Sequence, residues 1–323
     1  MLRRVRLVVL VTVPALVVGA VQPVALPSGP AARPAGVLAA GSSGSIAHHA
    51  WWDPRGWFDG SPVPKSRQIA AGGLPSAGVP PRQAAAVPRR VRELTAQRNA
   101  FSRAYLLSDG RVQAEVSAVP VNYRDATGAW QPIDTTVRPS TAVAGYGYGD
   151  VSNTFRTFFG DAAGRLVRFE VPGGGWLAVG VDGGRAGRPE VAGNTVTYRD
   201  VAAGAALSYQ VTPTALKESI TLASAAAASS FSYTIRVGGG LVPWQRPEGS
   251  IAFSRDGVGG PPVLVLPRPF MTDSRAEASS PYGVSWSPKV GQRASWDAAT
   301  GTLRVTVTAD AGGCTRRAGR SRW

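Results

Sequence analysis

The stretch "SFSYTIRVG", Ser230–Gly238, alternates without a break. Phe231, Tyr233, Ile235 and Val237 take every second position, and Ser232, Thr234 and Arg236 lie between them. A period of two, with β-branched and aromatic residues on one side, marks an antiparallel strand that buries one face and wets the other. "GTLRVTVTAD", Gly301–Asp310, repeats the pattern. Between and before these two lie further short apolar or alternating runs: "NTFRTFFG", "RLVRFEV", "GWLAVGV", "NTVTYRD", "ALSYQVT", "LKESITLAS", "SIAFSRDG" and "PPVLVLP". Gly-rich turns divide them. Upstream, "AYLLSDGRVQAEVSAVPVNY" reads as strand, Ser-Asp-Gly turn, strand. Many short strands at regular spacing specify an all-β fold, either an antiparallel β-sandwich or two stacked β-modules, over residues 88–311.

The segments before this module differ in kind. "PRRVRELTAQRN", Pro88–Asn99, sets Val91 and Leu94 at helical spacing, with Phe101 and Tyr105 continuing the side, and predicts a short helix. Residues 21–87 are rich in Pro, Ala and Gly and predict a disordered linker. One island interrupts it at 51–58, where Trp51, Trp52, Trp57 and Phe58 crowd together. Aromatics at this density are candidate ligand or partner contacts, through stacking on sugar rings or docking on a protein; packing of the segment back on its own domain is the favoured alternative, since nothing around them makes a binding groove. The first twenty residues have Arg3, Arg4 and Arg6, then an apolar run from Leu7 to Val18, then Val18-Gly19-Ala20 at a cleavage-site spacing. That is the pattern of a secretory signal peptide, with no stable membrane span left after cleavage.

The formal charge of +15 is unevenly placed. Residues 1–100 contribute +9 and the last twelve residues +4, so the strand-rich region between them is nearly neutral with interspersed signs. A nucleic-acid groove needs segregated basic charge, and no nucleic-acid partner is expected. Cys314 is the only cysteine, which excludes an intrachain disulfide, and the chain must rely on core burial.

Catalytic chemistry finds little support. The two histidines, His48 and His49, fall in the linker, which excludes a Ser-His-Asp, Cys-His or His-zinc site built wholly from the strand-rich region. "PGGGW", Pro172–Trp176, lacks the Lys-Ser/Thr of a phosphate loop. Acids such as Asp134, Glu170 and Glu218 sit in ordinary strand or turn contexts, and no Asp-rich loop calls for calcium. We expect no catalytic residues, no cofactor and no metal. The triplet Tyr-Arg-Asp occurs twice, at 123–125 and 198–200, each where a strand enters a Gly-containing turn. The expected roles are a buried Tyr ring, an Asp bonded to its own turn, and Gly128 or Gly204 supplying the unusual φ.

The phrases "VSAVPVNYRDATGAWQPIDTT", "LVRFEVPGGGWLAVGVDG", "GNTVTYRDVAAGAALSYQVTPTALKESITLAS" and "PFMTDS…SSPYGVSWSPKV" resemble the amino-terminal region of very large secreted proteins of high-GC Gram-positive bacteria. Those proteins carry RHS/YD repeats or DNRLRE-type β-domains downstream, and many are polymorphic toxins or wall-associated proteins. The resemblance covers residues 88–310 and offers no catalytic motif to match. It implies a secreted or cell-surface, non-enzymatic structural or presentation module, a truncated part of a larger surface or toxin-delivery protein, with downstream domains or cell-wall polysaccharide as partners. The alternative is a carbohydrate- or cell-wall-binding β-module using aromatics such as Trp130 and Trp176 besides the island. Two departures stand out: no YD repeat or DNRLRE domain follows, and Ala206 replaces an acid the family often has. The end, "GGCTRRAGRSRW" at 312–323, shows no strand or helix pattern. We expect an unstructured tail, read as out of frame with the strand before it.

Overall fold

The computed structural model describes residues 5–12 and 87–310, apart from 186, 224–226 and 228. The helix expected over 88–99 is not formed. The chain instead runs as β1 (Val5–Thr12), β2 (Arg90–Glu93), a single 3₁₀ turn at Thr95–Gln97, β3 (Ser102–Leu107), β4 (Val112–Val116), β5 (Asn122–Arg124) and β6 (Trp130–Pro132). Helical spacing of two apolar residues loses here to main-chain pairing. Val91 remains exposed, so a helix would gain little by burying it, whereas β2 pairs with β3. Arg98 also holds the segment extended, with a two-pronged bond to Glu93 at 2.7 and 2.8 Å and a third to the Trp130 carbonyl at 3.0 Å.

The sandwich follows: β7 (Arg138–Pro139), β8 (Tyr148–Asp150), β9 (Arg156–Ala162), β10 (Arg165–Glu170), β11 (Trp176–Val181), β12 (Glu190–Ala192), β13 (Thr195–Ala202), β14 (Ala205–Val211) and β15 (Ala215–Leu222). It is completed by β16 (Ser230–Gly238), β17 (Val242–Gln245), β18 (Ile251–Ser254), β19 (Leu264–Leu266), β20 (Phe270–Ala276), β21 (Val284–Ser287), β22 (Gly291–Asp297) and β23 (Thr302–Thr308). One sheet has eight strands in the order β22-β23-β16-β11-β10-β9-β8-β7. The other has ten, β12-β13-β14-β15-β1-β19-β18-β17, with β20 joined to β1 and β21 to β20. Every strand pairing recorded is antiparallel.

The alternation of Ser230–Gly238 is what builds the interface between the sheets. On β16 Phe231, Tyr233 and Ile235 are buried, opposite Val307, Val305 and Leu303 of β23. Ser232 and Thr234 share the other face with Thr306 and Arg304. Tyr198, Leu207, Tyr209, Leu216 and Ile220 of the ten-stranded sheet join these residues in one continuous core. A smaller unit, β2-β3-β4 with the β5-β6 hairpin, is stitched together by buried Asn122. Its amide donates to the carbonyls of Asn99 and Ser102, and its oxygen accepts from Arg103.

The two Tyr-Arg-Asp triplets prove to be different corners. Asp125 behaves as expected: it accepts from the Thr127 hydroxyl, the Gln131 amide and the main chain of Thr127 and Ala129, which together hold its carboxyl down at about 2. Gly128 and Gly204 both have positive φ. Asp200, however, is itself in the left-handed region at φ 54°, within a β-bulge between Tyr198 and Ala202. Tyr198 is buried, but Tyr123 is only half-buried because its hairpin lies outside the sandwich. The arginines are surface residues: Arg124 donates to the Gly128 carbonyl, and Arg199 is ion-paired with Glu190. Replacing Arg199 by Ala is therefore expected to change stability by under about 1 kcal/mol, as measured by denaturant unfolding.

Candidate functional site

Three places in the described structure gather chemistry. The first lies between the sheets. On β15, "ALKESITL", the period of two sets Glu218 in line with Leu216, Ile220 and Leu222, so its carboxyl enters the core and is 5 % exposed. Tyr233 of the facing sheet donates its hydroxyl to Glu218 Oε1 at 2.7 Å. The hydroxyl of buried Tyr209 and Oε1 of buried Gln292 have no hydrogen-bond partner. With Phe169, Leu266 and Val305 these groups line a space of about 30 Å³. That is room for one water molecule, which such unpaired polar atoms would hold, and too little for a substrate. Burial pushes the Glu218 carboxyl up, against the opposing pull of the bonded Tyr233 hydroxyl and, after it, of the Tyr209 hydroxyl, which is near the carboxyl without a well-formed bond to it. Burial also pushes both tyrosines up, with the Glu218 charge adding to it. The cluster can hold a proton and clamp two sheets.

The second place is where β8 leaves its sheet. Asp150 accepts from the Ser152 main chain at 3.0 Å and from the Asn153 amide at 3.3 Å, and Asn153 also donates to the Thr212 carbonyl in the turn between β14 and β15. Burial raises the Asp150 carboxyl to about 6. Nearby Asp134 is held at about 2, chiefly by the Thr136 hydroxyl and main chain and then by Arg138. Two carboxyls pushed in opposite directions are the usual sign of an acid–base pair. Here each carboxyl is consumed by its own turn, Asp134 by Thr136 and Asp150 by Ser152, which ties the loop instead.

The third is a shallow groove on the outer face of the eight-stranded sheet, lined by Trp176, Thr234, Arg236, Ser295, Asp297 and Arg304. Trp176 could offer a stacking platform for a sugar, but its ring is occupied. It lies against Gly238 of β16, where any Cβ would collide with the indole, and Arg168 sits 4.2 Å above its centre. Arg168 is itself fixed by Glu170 at 2.6 Å, which also pairs with Arg156. The same device recurs: Arg124 lies 4.4 Å over Trp130, and Arg90 lies 4.2 Å over Tyr105. Phe270 and Tyr282 stack on each other instead, with Trp286 edge-on to both.

Trp130, on the β5-β6 hairpin, and Trp176, on the eight-stranded sheet, lie in different sheets. Trp51, Trp52, Trp57 and Phe58 lie outside the described residues. By sequence Glu218 is an acid in an ordinary strand context; nothing local marks its bond to Tyr233, the buried polar groups of Tyr209 and Gln292 beside it, or Asp150. The available signal was a charged residue standing at an apolar position of an alternating run. Among the described residues no group of three or more His, Cys, Asp and Glu could hold a metal ion, and no helix is long and apolar enough to cross a membrane. The chain matches no family model, no curated protein and no solved structure.

Proposed function

We propose that this chain is a secreted, non-enzymatic structural or presentation module, part of a larger surface or toxin-delivery protein. The observation that supports it best is how its polar and aromatic chemistry is spent. Glu218 with Tyr233, and Tyr198 with two carbonyls of the facing sheet, join the sandwich across its core. Ring faces that could bind sugar are covered by the chain's own arginines. Such a body is suited to hold neighbouring domains, not to turn over a substrate. Export is part of this proposal, and the secreted product is expected to begin near Val21. Amino-terminal sequencing decides it; a cytoplasmic product that keeps Met1 would contradict export.

A second reading, a cell-wall-binding β-module, draws on the groove around Trp176 with its Thr, Asp and Arg lining. Co-sedimentation of the purified protein with Gram-positive wall polysaccharide separates the two. The structural reading expects no saturable binding and no difference between wild type and Trp176→Ala. Saturable binding that weakens 10-fold or more in Trp176→Ala, at unchanged Tm, would favour the binding module.

A further inference from the structure

Residues 5–12 have two roles that one molecule cannot keep at once. By sequence they are the middle of an export leader, whose removal after Ala20 would carry them away. In the structure they are β1, the strand that holds the ten-stranded sheet together. β1 runs antiparallel to β15 along its whole length, from Val5 opposite Leu222 to Thr12 opposite Ala215. On its other side it runs antiparallel to β20, from Val5 opposite Asp273 to Val8 opposite Phe270, and Thr12 stands opposite Val265 of β19. Among the described residues no other strand connects these halves. Without β1 the sheet divides into β12–β15 on one side and β17–β19 with the β20-β21 pair on the other. Each half then carries an open edge whose main-chain donors and acceptors have lost their partners.

We propose that the space between β15 and β20 is a donor-strand site, filled in the exported molecule by an extended segment of another polypeptide. This rests on the export reading above. The register states the occupant's chemistry. It must run antiparallel to both flanking strands, bond to both through its main chain, and place aliphatic residues opposite Leu222, Ile220, Glu218 and Leu216. β1 meets that requirement with Val5, Leu7, Val9 and Val11 at those register positions. The linker of this chain supplies no equivalent: residues 21–86 contain no alternating aliphatic run of that length. A second copy that has lost its leader offers none from that region either, which favours a segment of a different polypeptide as the donor.

The test uses the chain lacking residues 1–20 and a synthetic peptide of residues 4–13 as the probe strand, beside the same peptide with Leu7→Asp and Val9→Asp. The expected result is 1:1 binding of the first peptide and a rise in Tm of roughly 5–10 °C at about 100 times its Kd. Amide exchange should slow along Leu216–Leu222 and Phe270–Thr272, and the Asp peptide should bind at least about 10-fold more weakly. Because the shortened chain could fail to fold, the full chain with Leu7→Asp and Val9→Asp gives an independent measurement. It should lose amide protection in β15 and β20 beyond whatever general loss β10, β11 and β16 share with them. A shortened chain as stable as the full one, equally protected at β15 and β20 and refusing the peptide, overturns the proposal. A stable dimer of the shortened chain that refuses the peptide also overturns it, since a second copy is then the occupant. Sequencing of the secreted product judges export separately: a product retaining Met1 removes filling in trans, whatever the peptide does.

Discussion

Replacing Tyr198 by Ala lowers stability by about 3–5 kcal/mol, the range for a fully buried aromatic. The ring is 2 % exposed, lies edge-on to Tyr209, and reaches across the core from β13. Its hydroxyl lies 2.8 Å from two main-chain carbonyls of the facing sheet, those of Gly160 and Leu166, and has one proton to share between them. Tyr198→Phe keeps the packing and removes the bond, and should cost about 1–3 kcal/mol, because two buried acceptors are left with a poorer complement of donors. Tyr123→Ala in the other triplet should cost clearly less than Tyr198→Ala, since that ring is half-buried in a two-stranded hairpin. Urea or guanidinium melts of the three variants, with unchanged slopes, measure the differences.

The second large effect concerns Glu218, and its sign depends on which part of the side chain is removed. Glu218→Ala takes away the acceptor for Tyr233 and enlarges the space beside Tyr209, and should destabilise by about 2–4 kcal/mol. Glu218→Gln keeps an acceptor oxygen and removes only the ionisation. The folded carboxyl titrates above its unfolded value, with burial the main cause. Its contribution to stability is therefore fully present below the unfolded pKa, and is lost as pH rises through the folded one. Glu218→Gln should accordingly come closest to wild type near pH 4 and be more stable than it at pH 8. A Glu218→Gln protein less stable than wild type at pH 8 would mean that the ionised carboxylate is what the core requires. Asp150, raised to about 6, adds a loss of the same sign between its unfolded value and about pH 6. Asp125 and Asp134, held at about 2, act oppositely: their contribution is lost as pH falls toward 2.

Much of the all-β architecture was legible because alternation is a local signal. Ser230–Gly238 and Thr302–Thr308 each declare a buried face, and each buries the residues it declares. The helix expected over 88–99 failed because two apolar residues at helical spacing are weak information beside a neighbouring strand edge, which no single segment reveals. The leader-like residues 5–12 show the same limit more sharply. Their composition fits a leader and also fits the middle of a sheet, and only pairing to β15 and β20 distinguishes the second role. The candidate site was partly legible. Glu218 at an apolar position of "ALKESITL" marks a buried acid, but the identity of its partners depends on which strands face each other across the core. The covering of Trp130 and Trp176 by Arg124 and Arg168 was beyond reach, since each arginine comes from a different strand from the ring it covers.

Buried polar groups that bond across the core should clamp the two sheets into one cooperative body. Native-state hydrogen exchange, followed residue by residue at low denaturant, tests it most directly. The expected result is that amides of β10, β11, β14 and β16 exchange with one opening free energy, equal within about 1 kcal/mol to that of global unfolding, and that Tyr198→Phe lowers all of them together. Separate openings for the two sheets, differing by more than about 2 kcal/mol in wild type, or a Tyr198→Phe effect confined to β13 and β14, would contradict it.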